Sequence, residues 1–204
     1  MKSEIFTCKV RLYTLMKSLI LSTGLINSAI ANDMNTLIID DRSNKDMTSN
    51  LGTKWQLVTD GVMGGLSQGQ LTLDNYKGRN CLRMRGTVTT ENNGGFVQIA
   101  LSLSEQGDFD ASAYTGVEIE VAGNNELYNI HFRTGDLWFP WQSYRSSFTA
   151  AGDWQTYRIP FSELEKYKTF HKFSQDDIKR IGLVAIGREF QADLCLADIR
   201  FYND

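Results

Sequence analysis

From Trp55 onward the apolar residues come in short alternating or branched runs, broken by Gly, Asn and Asp about every ten residues, which is the signature of an all-β chain. This spacing predicts strands over 55–59, 69–74, 81–88, 95–101, 115–122, 127–133, 137–145, 154–159, 180–187 and 193–202. Strands do not alternate with helices, so the scaffold of a parallel nucleotide-binding sheet is missing. Two short helices are expected. Ser162 with Glu165 three residues on, after Pro160, forms a capping box for a helix through about Tyr167, and Ser174 before Gln175-Asp176-Asp177 starts a single turn. The architecture expected is a jelly-roll sandwich of two antiparallel sheets.

The first residues do not belong to that pattern. Lys9, Arg11 and Lys17 precede an apolar run from Leu19 to Ile30 that ends in Ala29-Ile30-Ala31, the layout of a secretory signal peptide cleaved after Ala31. The run is too short and too interrupted by Ser22, Thr23, Asn27 and Ser28 for a membrane span. The expected organisation is therefore a signal peptide over 1–31, a polar lead-in over 32–52 that docks one strand, and a sandwich over 53–204. The exported product would be periplasmic or extracellular.

Removing residues 1–31 leaves 17 basic residues against 23 acidic, a net charge of −6. No basic stripe remains along the sequence, which argues against nucleic acid and anionic lipid as partners, since both are drawn to clustered Lys and Arg. Cys8 leaves with the leader, and Cys81 and Cys195 stay. Simple alternation places Cys81 with Arg83 and Arg85 but Cys195 with Ala197, Ile199 and Phe201. The two thiols are then on opposite faces and stay apart unless a bulge intervenes.

Two glycine-rich turns stand out. Asp60-Gly61-Val62-Met63-Gly64-Gly65-Leu66-Ser67 is answered by Glu91-Asn92-Asn93-Gly94-Gly95-Phe96, and both read as shaped turns between strands. The first lacks the lysine, spacing and following helix of a phosphate loop. Asp60 is suited to accept loop amides, and Met63 projects from a tight turn toward either the sandwich rim or a partner. Asn93 is expected to reach across and tie the loops together, since a buried amide must satisfy both its ends. The candidate binding patch comprises Asp60, Met63, Gly64, Gly65, Ser67, Asn93, Gly94 and Gly95. An alternative ligand cluster is Arg133, Trp138, Trp141, Tyr144 and Arg145, because aromatics beside Arg and Gln are how a β-sandwich holds a sugar ring. Core packing is expected to claim at least two of the aromatics Trp138, Phe139, Trp141 and Tyr144.

Catalytic signals are lacking. His131 and His171 are the only histidines and lie far apart, Ser67 has no nucleophile elbow, and neither cysteine sits in a nucleophile motif. No spacing of His, Cys and carboxylates suits zinc, and Asp136, Asp153 and Asp193 are not singled out as calcium ligands. No enzyme activity, cofactor or metal is expected.

The two glycine turns, together with Trp154-Gln155-Thr156-Tyr157-Arg158-Ile159-Pro160-Phe161 and the closing Leu196-Ala197-Asp198-Ile199, resemble the complex I intermediate-associated protein 30 family. The resemblance runs from about Trp55 to Tyr202. It implies a galactose-binding-domain-like β-sandwich that acts as a protein-binding or assembly module, associated with the building of respiratory complex I. It also implies a structural role for Asp198, bonded to backbone or to an arginine such as Arg133. The alternative function is a carbohydrate- or small-ligand-binding module.

Overall fold

Alternation sorts the chain into two antiparallel sheets. A computed structural model of the protein describes residues 36–204, and the expected leader lies outside the described residues. The strands are β1 (Thr36–Asp40), β2 (Gln56–Thr59), β3 (Gln68–Tyr76), β4 (Arg79–Val88), β5 (Phe96–Ser102), β6 (Gly116–Gly123), β7 (Glu126–Thr134), β8 (Ser143–Ala150), β9 (Gln155–Pro160), β10 (Glu165–Tyr167), β11 (Ile178–Ile186) and β12 (Phe190–Tyr202). One sheet has the order β3-β4-β12-β6-β9, with β1 also paired to β12, and the other has the order β10-β8-β7-β11-β5-β2.

The inward residues of both sheets make one core. Leu82, Met84, Ile119, Val121, Leu194 and Leu196 from the first sheet meet Ile99, Leu101, Ile130, Phe132, Ile181 and Leu183 from the second, all fully buried. Each such side chain contributes about 1.5–3 kcal/mol by leaving water. The polar lead-in joins this core. Its β1 pairs with β12, and buried Asp40 accepts from Trp55 Nε1 at 2.6 Å while pairing with buried Arg42 at 2.7 Å.

In the strands and their pairing the structure corrects three expectations. The aromatic segment 138–141 is a loop, and the strand placed at 137–145 starts at Ser143 and runs to Ala150. Pro140 cannot donate to a ladder, and four carbonyls of the loop turn to Arg133 instead of a neighbouring strand. The helix predicted through Tyr167 is one 3-10 turn, Phe161–Glu163, without a side-chain cap. Beyond it Glu165–Tyr167 extends to pair with Arg145–Ser143, so edge pairing overrides the local helix signal.

The third correction is the disulfide, which joins Cys81 to Cys195. The register of β12 shifts between Leu196 and Asp198, so Leu194 and Leu196 face inward before this point and Ile199 and Phe201 after it. This bulge cancels the phase difference. Cys195 sits opposite Arg83 and shares the outer face with Cys81. Asp198, just past the bulge, is nearly buried and is bound by both Nε and Nη2 of Arg200, not by Arg133.

Register also fixes which loops share an end of the second sheet. Ile186 lies opposite Phe96, whereas Arg180 lies opposite both Ser102 and Arg133. The two glycine-rich turns therefore crown one end, next to Gly187, whose amide donates to Gly95 O at 2.9 Å. The aromatic loop 135–142 belongs to the opposite end.

Candidate functional site

Asp60 is the centre of the glycine-turn patch. It lies at the start of a 3-10 turn, Asp60–Met63, that follows β2, and it is fully buried. Its Oδ1 accepts from the Ser67 amide at 3.0 Å, closing its own loop. Its Oδ2 accepts from the Ser67 hydroxyl, from the Gly95 amide at 2.5 Å and from the Phe96 amide at 3.1 Å, gripping the second loop. Ser67 Oγ extends the clasp by accepting from the Thr89 amide at 3.1 Å. Burial by itself would raise the Asp60 pKa, but the Ser67 hydroxyl and the three amides favour the anion and hold it below the usual carboxylate value.

The glycines make room for this carboxylate. A Cβ on Gly65 or Gly94 would sit inside the Asp60 side chain. Gly64 and Gly95 have φ of 89° and 136°, which L side chains rarely adopt. The expected tie, Asn93, is instead exposed in the left-handed region at φ 57°, so the bridge runs through Asp60. A side chain beside a glycine pair carried the signal, but the acceptor had to be the one facing inward at the end of β2.

Held by the clasp, the first loop turns its apolar side chains outward. Val62 is 73% exposed, Met63 52%, and Leu66 is also exposed. Beside Leu66, a shallow depression of about 550 Å³ is lined by Val88, Thr89, Glu91, Glu189 and Phe190.

The second candidate cluster is not brought together. Tyr144 is fully buried, with its hydroxyl donating to Lys172 O at 3.0 Å. Arg133 donates to the carbonyls of Leu137, Phe139, Pro140 and Gln142, and Arg145 lies over the Tyr167 ring at 3.9 Å. Trp138 and Trp141 stand in solvent with Phe139, so only one of the four aromatics enters the core. Asp136, Asp153 and Asp193 go to separate partners, His171, Lys77 and Arg83. Among the described residues, no three His, Cys, Asp or Glu side chains converge as metal ligands.

His131, between Gly182 and Arg145 on the outward side of β7, has a buried Nε2 without a hydrogen-bond partner. Burial, with Arg145 adding repulsion, pushes its pKa down to about 4. The native state thus refuses a proton that the unfolded chain binds near pH 6.5, so the stability due to neutral His131 is intact above pH 6.5 and drains as pH falls toward 4. Urea titrations at neutral and acid pH are expected to show wild type losing about 2–3 kcal/mol more than His131→Gln across that window. Parallel losses in the two proteins would remove this role.

The family model for complex I intermediate-associated protein 30 matches residues 45–196. The chain belongs to the complex I intermediate-associated protein 30 family. No curated protein sequence matches the chain. Among solved structures, the family 11 carbohydrate-binding module of the cellulosomal cellulase Lic26A-Cel5E of Clostridium thermocellum aligns with a TM-score of 0.66 at 15% identity, covering 84% of this chain and 96% of that one. The same organism's family 11 module in complex with a β-1,3-1,4-mixed-linked tetrasaccharide gives 0.65 at 15% identity, covering 83% and 96%. The family 30 module of its cellulase Cel9D-Cel44B gives 0.60 at 18% identity, covering 83% and 98%. At these identities the likeness is one of fold, a galactose-binding-like β-sandwich. Within the complex I intermediate-associated protein 30 family, this member's described residues include no helix long and apolar enough to cross a membrane.

Proposed function

We propose that this protein is a non-enzymatic protein-binding module that assists assembly of a membrane complex, by family association respiratory complex I. The observation that carries the reading is the clasped loop. Four donors converge on Asp60, and the loop they hold keeps Val62, Met63 and Leu66 in water. An apolar group with no fold partner, held on a fixed loop, is suited to meet another protein without a large ordering cost. Export is part of the proposal. It is supported by the signal-like N-terminus and by the disulfide, which suits an oxidising compartment.

Affinity purification from solubilised membranes, probed for subunits of NADH:ubiquinone oxidoreductase, tests the reading. Met63→Ala is expected to change stability by less than about 0.5 kcal/mol, as for an exposed side chain. Capture of those subunits should fall about tenfold if Met63 is a central contact. Full capture by Met63→Ala together with Val62→Ala would exclude the patch.

Carbohydrate binding is a second reading, favoured by the fold likeness and by exposed Trp138 and Trp141. Retention on a mixed-linked β-glucan column with quenching of tryptophan fluorescence would support it over assembly.

A further inference from the structure

At the end of the second sheet away from the clasp, two loops stand side by side. Loop 135–142 leads into β8 and loop 168–174 leaves β10, and these strands pair Ser143 with Tyr167. The Gln142 side chain donates to Lys168 O at 3.0 Å, and His171 Nδ1 lies 3.4 Å from Asp136 Oδ2. Trp138 is 87% exposed, Phe170 is completely exposed, and Phe139 and Trp141 are about half exposed. Arg133, bonded to four carbonyls, fixes the loop that carries three of these rings.

The charge around these rings differs from that of the chain as a whole. The chain has more acidic than basic residues, whereas across 135–142 and 165–174 the exposed Lys166, Lys168 and Lys172 stand against two acids, Glu165 and Asp136, the latter facing His171; Asp176 and Asp177 follow next along the chain. Linear sequence disguises the cluster, because three of the rings, Trp138, Phe139 and Trp141, come from a segment about thirty residues from the one that carries Phe170 and the lysines.

We propose that this aromatic and basic tip docks on the surface of an anionic lipid bilayer, the rings entering the interface and the lysines meeting headgroups. Trp and Phe gain by leaving water at a bilayer interface, and ammonium groups at the same height are drawn to anionic lipid. A sugar platform would use open ring faces. Here Phe139 and Trp141 stack on each other, centroids 4.9 Å apart and planes within 7°, so each already spends one face. Trp138 and Phe170 stand clear as projecting side chains. This inference goes beyond the protein-binding reading and uses a different end of the molecule.

Sedimentation of the mature protein with vesicles of phosphatidylglycerol and phosphatidylcholine, compared with phosphatidylcholine alone, tests it without any protein partner. Association is expected with the anionic vesicles, weakening with salt, together with a blue shift of tryptophan emission. Trp138→Ala and Phe170→Ala should each weaken association about tenfold, from the apolar area each ring buries. Lys168→Gln and Lys172→Gln should each cost about fivefold. These side chains are exposed, so unchanged thermal melts are expected and would separate lost docking from lost fold. The proposal is overturned if anionic vesicles are ignored, or if the double variant Trp138→Ala/Phe170→Ala binds them as wild type does. Retention on soluble glucan without vesicle binding would overturn it in favour of a sugar site.

Discussion

Asp60→Ala is expected to destabilise the fold by about 3–5 kcal/mol, because it strands the buried amides of Ser67, Gly95 and Phe96. Asp60→Asn keeps the size and its oxygen can serve Gly95 and Phe96 in place of Oδ2, but its NH2 then faces the Ser67 amide donor to donor, so it should recover only part of the loss. The pH dependence follows from the depressed carboxyl. A group held below its unfolded pKa stabilises the fold above the usual carboxylate value and surrenders that stability as pH falls through its native pKa. Wild type should therefore lose clasp stability only in acid, while Asp60→Ala starts without it. Urea midpoints for both proteins from neutral to acid pH check this. A loss under about 1 kcal/mol would mean that solvent replaces the carboxylate, and the loops would then not be held by it.

Removing the Cys81–Cys195 bridge, by reductant or by the pair Cys81→Ser/Cys195→Ser, is expected to cost about 4–5 kcal/mol. The two positions are 114 residues apart, so the bridge closes a long loop in the unfolded chain and removes much of its freedom. Both cysteines are buried on the outer face, next to Arg83, which is bound to Asp74 at 2.9 Å and to Asp193 at 2.7 Å. Denaturant titration with and without reductant measures the effect, and the serine pair should be insensitive to reductant. Identical midpoints for reduced and oxidised wild type would contradict the expectation.

How much of this was legible depends on whether the signal was local. Nine strands follow from alternation, since Leu82-Met84 or Val97-Ile99-Leu101 can face only one side. The bulge in β12 was invisible because Ala197 suits either face, and with it went the pairing of the cysteines. At 138–141 aromatic content imitated a strand, although Pro140 and the capture of loop carbonyls by Arg133 forbid one. In the clasp, the role expected of Asp60, accepting loop amides, is the role it fills. That its acceptors also reach Gly95 and Phe96 depends on the pairing of Thr59 with Val97, which no local pattern states. The tip is the clearest case of distributed information, since neither the aromatic loop nor the lysine loop is unusual until β8 and β10 pair.

The clasp and the tip lie at opposite ends of the second sheet, and β11 runs the distance between them in nine residues. At about 3.3 Å per residue such a strand measures about 30 Å. A molecule docked by one end would hold Met63 at a set stand-off above the lipid plane, about the thickness of a bilayer's hydrocarbon core. It would work as a gauge block, admitting partners whose contact surface rises to that height and passing over those that hug the membrane.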